Sequence, residues 1–121
     1  MSSGYLIQTA PFIVPTEDGK LIEEHFGNAS QGGGRLSIAR MVAPAGWSEP
    51  PQIPDFDEYT LVIRGQKEVT VNGERMVLNP GESIKVEAGA TVRYANPFDT
   101  ETEYVSVCLP AFSPDSVHRQ G

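Results

Sequence analysis

Twelve glycines and ten prolines interrupt a chain of 121 residues, and their spacing leaves little room for anything but short strands. Turn residues recur about every eight to twelve positions, the interval at which strands are joined in an all-β barrel or sandwich. No segment sustains the 3.6-residue periodicity of an amphipathic helix. The runs between turns predict strands over residues 11–14, 20–26, 35–43, 58–64, 67–71, 75–78, 83–86, 91–95 and 103–109. Residues 20–26 are compatible with a short helix or an edge strand and are read as strand. In Glu68-Val69-Thr70-Val71 the valines face one way and the polar residues the other. Asn72-Gly73 is a strong hairpin signal, because a type I′ turn needs two residues tolerant of positive φ. Asn79-Pro80-Gly81-Glu82 predicts a second turn, with proline presetting φ and glycine relieving strain.

The length fits one domain spanning 1–121, with a barrel core at about 35–110, N-terminal strands at 5–27 and a C-terminal tail at 111–121. A hydrophobic content of 39% and a charged content of 21% describe an ordinary globular chain. A net charge of −7 disfavours binding to phosphate backbones and anionic lipid, so neither nucleic acid nor membrane is an expected partner. No apolar run is long enough to span a bilayer, and the N-terminus has no basic and apolar leader pattern. The expected location is therefore cytoplasmic. The single cysteine, Cys108, lies in an apolar run with no basic neighbour and reads as an inert buried thiol. Gln31-Gly32-Gly33-Gly34 reads as a flexible loop, since it lacks the Lys-Ser/Thr and the helix of a phosphate loop.

The block from Gly46 to Asn96 resembles the cupin superfamily through two motifs. Gly46, Glu58 and Gly65 keep the spacing of the first; Gly81, Gly89 and Asn96 keep that of the second, with Glu87 in its proline position. The resemblance implies an all-β, cupin-type double-stranded β-helix, or jelly-roll barrel. It also implies a site where the family usually holds a metal through three histidines and a glutamate. In this chain the first-motif histidine positions are Pro51 and Ile53, or Gln52 and Pro54 with the shorter spacing, and the second-motif position is Val92. Glu58 alone remains of the usual ligands, and imidazole is what gives such sites their affinity for transition metals. No metal and no other cofactor is therefore expected. His25 and His118 lie outside both motifs.

The strand ending Asp57-Glu58-Tyr59-Thr60-Leu61-Val62-Ile63-Arg64-Gly65 is similar to that of the ethanolamine-utilization cupin. The tail beginning Leu109-Pro110-Ala111-Phe112 resembles that of small cupins, including a metal-independent nucleoside dehydratase. In that relative a histidine after the first-motif glycine acts as base. Trp47 occupies the position here.

Strand alternation then places the candidate site. If Glu58 points into the barrel, so do Thr60 and Val62, while Tyr59, Leu61 and Ile63 face outward. If Val92 points inward, so does Tyr94, with Asn96 at the rim. Trp47, Glu49, Gln52 and Phe56 are expected at the mouth, and the face of Arg40 is left open. A carboxylate set in an apolar barrel with neither metal nor cation nearby favours its neutral form, which makes Glu58 a candidate acid or base. Tyr94 is a candidate hydrogen-bond donor to a developing oxyanion. The predicted catalytic pair is Glu58 and Tyr94. The predicted ligand contacts are Trp47, Glu49, Gln52, Phe56, Thr60, Val92 and Asn96.

This chemistry suits proton transfer beside a carbonyl in a small sugar-like or keto compound, in an isomerase, epimerase or lyase. Two alternatives stand beside it: a module that binds a small metabolite without changing it, and an accessory barrel of a metabolic gene cluster. The outward set Tyr59, Leu61 and Ile63 predicts a homodimer or a second packing layer.

Overall fold

The computed structural model describes residues 4–120. The leader reading of the N-terminus and the ends of the expected 1–121 domain fall partly on residues 1–3 and 121, outside the described residues. Nine strands occur among the described residues: β1 (Phe12–Ile13), β2 (Leu21–Phe26), β3 (Ser37–Ala43), β4 (Asp57–Arg64), β5 (Lys67–Val71), β6 (Glu74–Leu78), β7 (Ser83–Val86), β8 (Val92–Ala95) and β9 (Thr102–Leu109). Each corresponds to an expected strand, with ends shifted by at most two residues. Residues 20–26 form strand, not helix. Six strands pair antiparallel in the order β1-β2-β3-β9-β4-β7, and three in the order β6-β5-β8, giving the double-stranded β-helix.

Local chemistry explains the joints. Asn72 and Gly73 take φ of +48° and +86°, so β5 turns into β6 with Val71 opposite Glu74. At the second turn Gly81 has φ +86° and the Glu82 amide donates to the Asn79 carbonyl at 3.0 Å. Gly65, at φ +77°, ends β4 where a β-carbon would collide with the Glu101 carbonyl oxygen. Neither the angle nor the contact admits a side chain.

Period-two alternation fills the interior. On β4, Glu58, Thr60 and Val62 are buried while Tyr59, Leu61 and Ile63 are exposed. On β9, Thr102, Tyr104, Ser106 and Cys108 are buried. One apolar cluster, containing Trp47, Val69, Val86, Val92 and Tyr104, fills the space between the sheets. A smaller one joins Phe56, Cys108 and Val117 with Phe112 packed against it.

The proline-rich segment before β4 is tied down on both sides. Its three non-proline residues use every backbone N–H they have: Gln52 donates to the Val92 carbonyl at 2.9 Å, Ile53 to Val117 at 3.1 Å and Asp55 to Ser116 at 2.8 Å. Gln120 donates back to the Pro51 carbonyl at 2.7 Å. The prolines thus sit where no donor is needed. The C-terminal segment, expected as a polar tail, folds against this edge and brings Arg119 opposite Gln52.

Candidate functional site

The barrel holds a cavity of about 110 Å³, partly open to solvent. Glu58 enters it from β4 and Tyr94 from β8, and the Tyr94 hydroxyl donates to Glu58 Oε1 at 3.0 Å. Burial, reinforced by the adjacent Glu58, raises the Tyr94 pKa well above its ordinary value and keeps the phenol protonated as a donor. Glu49, Gln52 and Phe56 also line the cavity, as expected from the sequence.

Four expected contact residues lie elsewhere. Thr60 faces inward, but its hydroxyl pairs with that of Ser106 at 3.0 Å because the β4–β9 register sets the two residues opposite each other, and of the two only Ser106 lines the cavity. Val92 packs in the core between the sheets. Asn96 is fully buried, and its amide nitrogen donates to the carbonyls of Ala43, Pro44 and Thr100 at 3.2, 3.1 and 2.9 Å. It is a brace for the surrounding chain, not a rim contact. Trp47 is 5% exposed and donates through Nε1 to Asp18 Oδ2 at 2.7 Å, so it supports the site from behind. Arg40 turns outward to Glu23 and Glu103.

The sequence reading missed two lysines. Lys20 and Lys67 are 9% and 2% exposed, and both line the cavity. The expectation that Glu58 has no cationic neighbour is thereby corrected. The Lys20 ammonium lies 4.2 Å from the centre of the Trp47 ring. The Lys67 ammonium lies 3.4 Å from that of Tyr104 and 4.5 Å from that of Tyr94. Lys67 shares the period-two face of Val69 and Val71, a signal present in the sequence. Lys20 precedes β2 but shares the period-two face of Ile22 and Glu24 in the expected strand 20–26, so its signal is present as well.

These charges divide unevenly. Burial pulls the Lys67 pKa below its ordinary value, Lys20 adds repulsion, and Tyr104 only partly opposes them. For Lys20, burial is outweighed by Tyr104 and Glu49, and its pKa rises. Burial raises the Glu49 pKa against the pull of both lysines. Burial also works to raise that of Tyr104, but Lys67 and Lys20 prevail and lower it. The Tyr104 hydroxyl is buried beside both ammonium groups, yet has hydrogen-bond geometry to neither. Burial pushes the Cys108 thiol far up, leaving it protonated and unreactive.

The donor set does not fit the transition metal the fold often holds. Pro51 and Ile53, or Gln52 and Pro54 with the shorter spacing, stand at the first-motif histidine positions and Val92 at the second. Among the described residues no three His, Cys, Asp or Glu side chains converge as ligands. The His118 ring instead pairs with Asp55 at 2.6 Å on the exterior, and neither it nor His25 lines the cavity. No helix among the described residues is long and apolar enough to cross a membrane.

Comparison with known proteins agrees with this architecture. A curated relative, the endoribonuclease YbeY of Myxococcus xanthus, is 43% identical over 108 residues, 89% of this chain and 37% of that protein. The chain thus spans well under half the length of that relative. Among solved structures, the polyketide cyclase RemF from Streptomyces resistomycificus matches with a TM-score of 0.76 at 14% identity, covering 99% of this chain and 87% of that one. Streptomyces PAC13 with uridine matches at 0.75 and 16% identity, covering 99% and 92%. The ethanolamine utilization protein Q from Salmonella typhimurium matches at 0.59 and 18% identity, covering 77% and 71%. The family model of the cupin domain matches residues 39–108, and the chain belongs to the cupin family.

Proposed function

We propose that this cupin acts on a small oxygenated metabolite by metal-independent proton transfer, as an isomerase, epimerase or lyase. The observation that carries the reading is the Tyr94–Glu58 hydrogen bond at 3.0 Å in the wall of the barrel cavity. Glu58 takes or returns the proton beside a carbonyl. Tyr94, kept neutral by burial, donates to oxygen as negative charge develops there. That RemF is named a polyketide cyclase and PAC13 holds uridine supports keto and sugar-like ligands as the first to try. The test is deuterium incorporation from D₂O into sugars, nucleosides and keto acids. Wild type should label a carbon next to a carbonyl, and Glu58→Gln should slow labelling by about 10²-fold or more. Equal rates in the two proteins would remove Glu58 from the reaction.

A second reading, binding without turnover in an accessory module, is favoured by the YbeY relative, in which the matched region is only 37% of a longer protein. On this reading the barrel holds a metabolite beside another activity, and the net charge of −7 argues against direct contact with RNA. A ligand that raises the melting temperature yet gives neither product nor deuterium exchange would favour it.

A further inference from the structure

We infer that the cavity is an anion site that takes a small carboxylate, held between the Lys20 and Lys67 ammonium groups beside the Tyr104 hydroxyl. This names the ligand class of the proposed acid/base site. It rests on that reading for the ligand's chemical fate and not for its charge.

Two buried lysines face one space in the barrel, and among the described residues neither has a carboxylate oxygen within the 4.0 Å of a salt bridge; the Tyr104 hydroxyl is the side-chain oxygen that acts most strongly on both. Lysines are rarely buried without a partner, because desolvating an ammonium costs several kcal/mol. The aromatic faces of Trp47, Tyr94 and Tyr104 offset part of that cost through the cation's charge. They accept none of the three N–H bonds that each ammonium can donate. Tyr104 adds a buried hydroxyl beside both ammonium groups, without hydrogen-bond geometry to any group in the barrel.

The acidic side chains in the wall do not meet this need. Glu24 is committed to the Ala29 amide and the Ser30 hydroxyl, each at 2.9 Å, and Glu58 accepts from Tyr94. Burial favours the neutral form of Glu49. An entering carboxylate would bring two oxygens to donors already gathered and already desolvated.

Size and wall chemistry select the ligand. At about 110 Å³ the space is smaller than the roughly 150 Å³ cavity that accommodates benzene, so it suits about four to six heavy atoms. Ile22, Ala39, Met41 and Phe56 supply apolar walls for a short carbon chain. A phosphate ester is larger and, with a second charge, demands more donors than the site offers. Acids of two to four carbons are the expected class, with any 2-oxo group reaching toward Tyr94 and Glu58.

Thermal shift and calorimetry with acetate, glycolate, propionate and pyruvate, each beside its neutral amide and beside inorganic phosphate, test the inference. At least one acid should bind and raise the melting temperature while its amide does not. Lys20→Met and Lys67→Met should each weaken that acid about tenfold or more. Melting without ligand checks that both variants fold. If one fails to fold, the acid-against-amide contrast in wild type and the other variant still decide. Equal stabilisation by the amide, preference for phosphate, absence of binding by every acid, or unchanged affinity in the folded lysine variants would overturn the anion site. An acid that binds without deuterium exchange upholds the anion site and removes the acid/base reading. Exchange on neutral sugars with no acid bound does the reverse.

Discussion

Replacing Lys67 by methionine should make this protein more stable, because the wild-type side chain holds a desolvated cation with no carboxylate in salt-bridge contact, Glu58 and Glu49 acting on it only from a distance. Lys67 is 2% exposed, and no carboxylate lies within 4.0 Å of its ammonium among the described residues. Its contacts with Tyr104 at 3.4 Å and Tyr94 at 4.5 Å each return about 0.5–2 kcal/mol, against a desolvation cost of several kcal/mol. The lowered pKa says that desolvation is the larger effect. Methionine has nearly the same length and fills the same space without a charge. The expected gain is about 1–3 kcal/mol at neutral pH, or roughly 3–6 °C in melting temperature per kcal/mol for a chain of this size. Urea unfolding gives the free energy and scanning fluorimetry the temperature.

The pH dependence follows from the direction of the shift. The folded-state pKa of Lys67 lies below its ordinary 10.5, so between the two values the unfolded chain binds more protons than the native state. The contribution of this group to stability therefore rises with pH across that window. Below the folded pKa its full cost is present. The advantage of Lys67→Met should be largest there and shrink as pH approaches 10.5. A variant less stable than wild type by more than about 1 kcal/mol would refute the reasoning, since it would mean the ammonium is a paired structural cation.

Other substitutions separate bracing from ligand contact. Thr60→Val should cost about 1–3 kcal/mol by orphaning the Ser106 hydroxyl, and adding Ser106→Ala should recover much of it in a double-mutant cycle read by urea unfolding. Asn96→Ala removes four hydrogen bonds at a fully buried position and should cost about 2–4 kcal/mol, while any bound ligand keeps its affinity in the folded fraction. Tyr59, Leu61 and Ile63 are 39%, 43% and 48% exposed on one face of β4, which supports a homodimer. On that proposal Leu61→Glu shifts the species seen by light scattering from dimer to monomer, and a monomeric wild type would dispose of it.

The strands were legible because their signals are local. Valine alternation in β5 and the positive φ required at Asn72-Gly73 need no knowledge of the rest of the chain. The pairing of Glu58 with Tyr94 was partly legible, since motif spacing put both on inward positions. Lys67 also lies on an inward position, beside Val69, but a lysine is ordinarily assigned to the solvated face, and only the closed barrel turns this one into a cavity wall. Asn96 shows the opposite limit. Its turn contact with Phe98 is local and readable, whereas its bonds to Ala43 and Pro44 join distant parts of the sequence. The docking of the tail along Pro51 to Asp55 is equally non-local, and so Arg119 at the cavity could not be anticipated.

On this reading the barrel's site is built from its own side chains, with no metal at the positions where the fold often has one. Elemental mass spectrometry of protein purified without chelators tests it most directly. Iron, nickel, copper, zinc and manganese should each lie far below one ion per chain. A stoichiometric metal would contradict it.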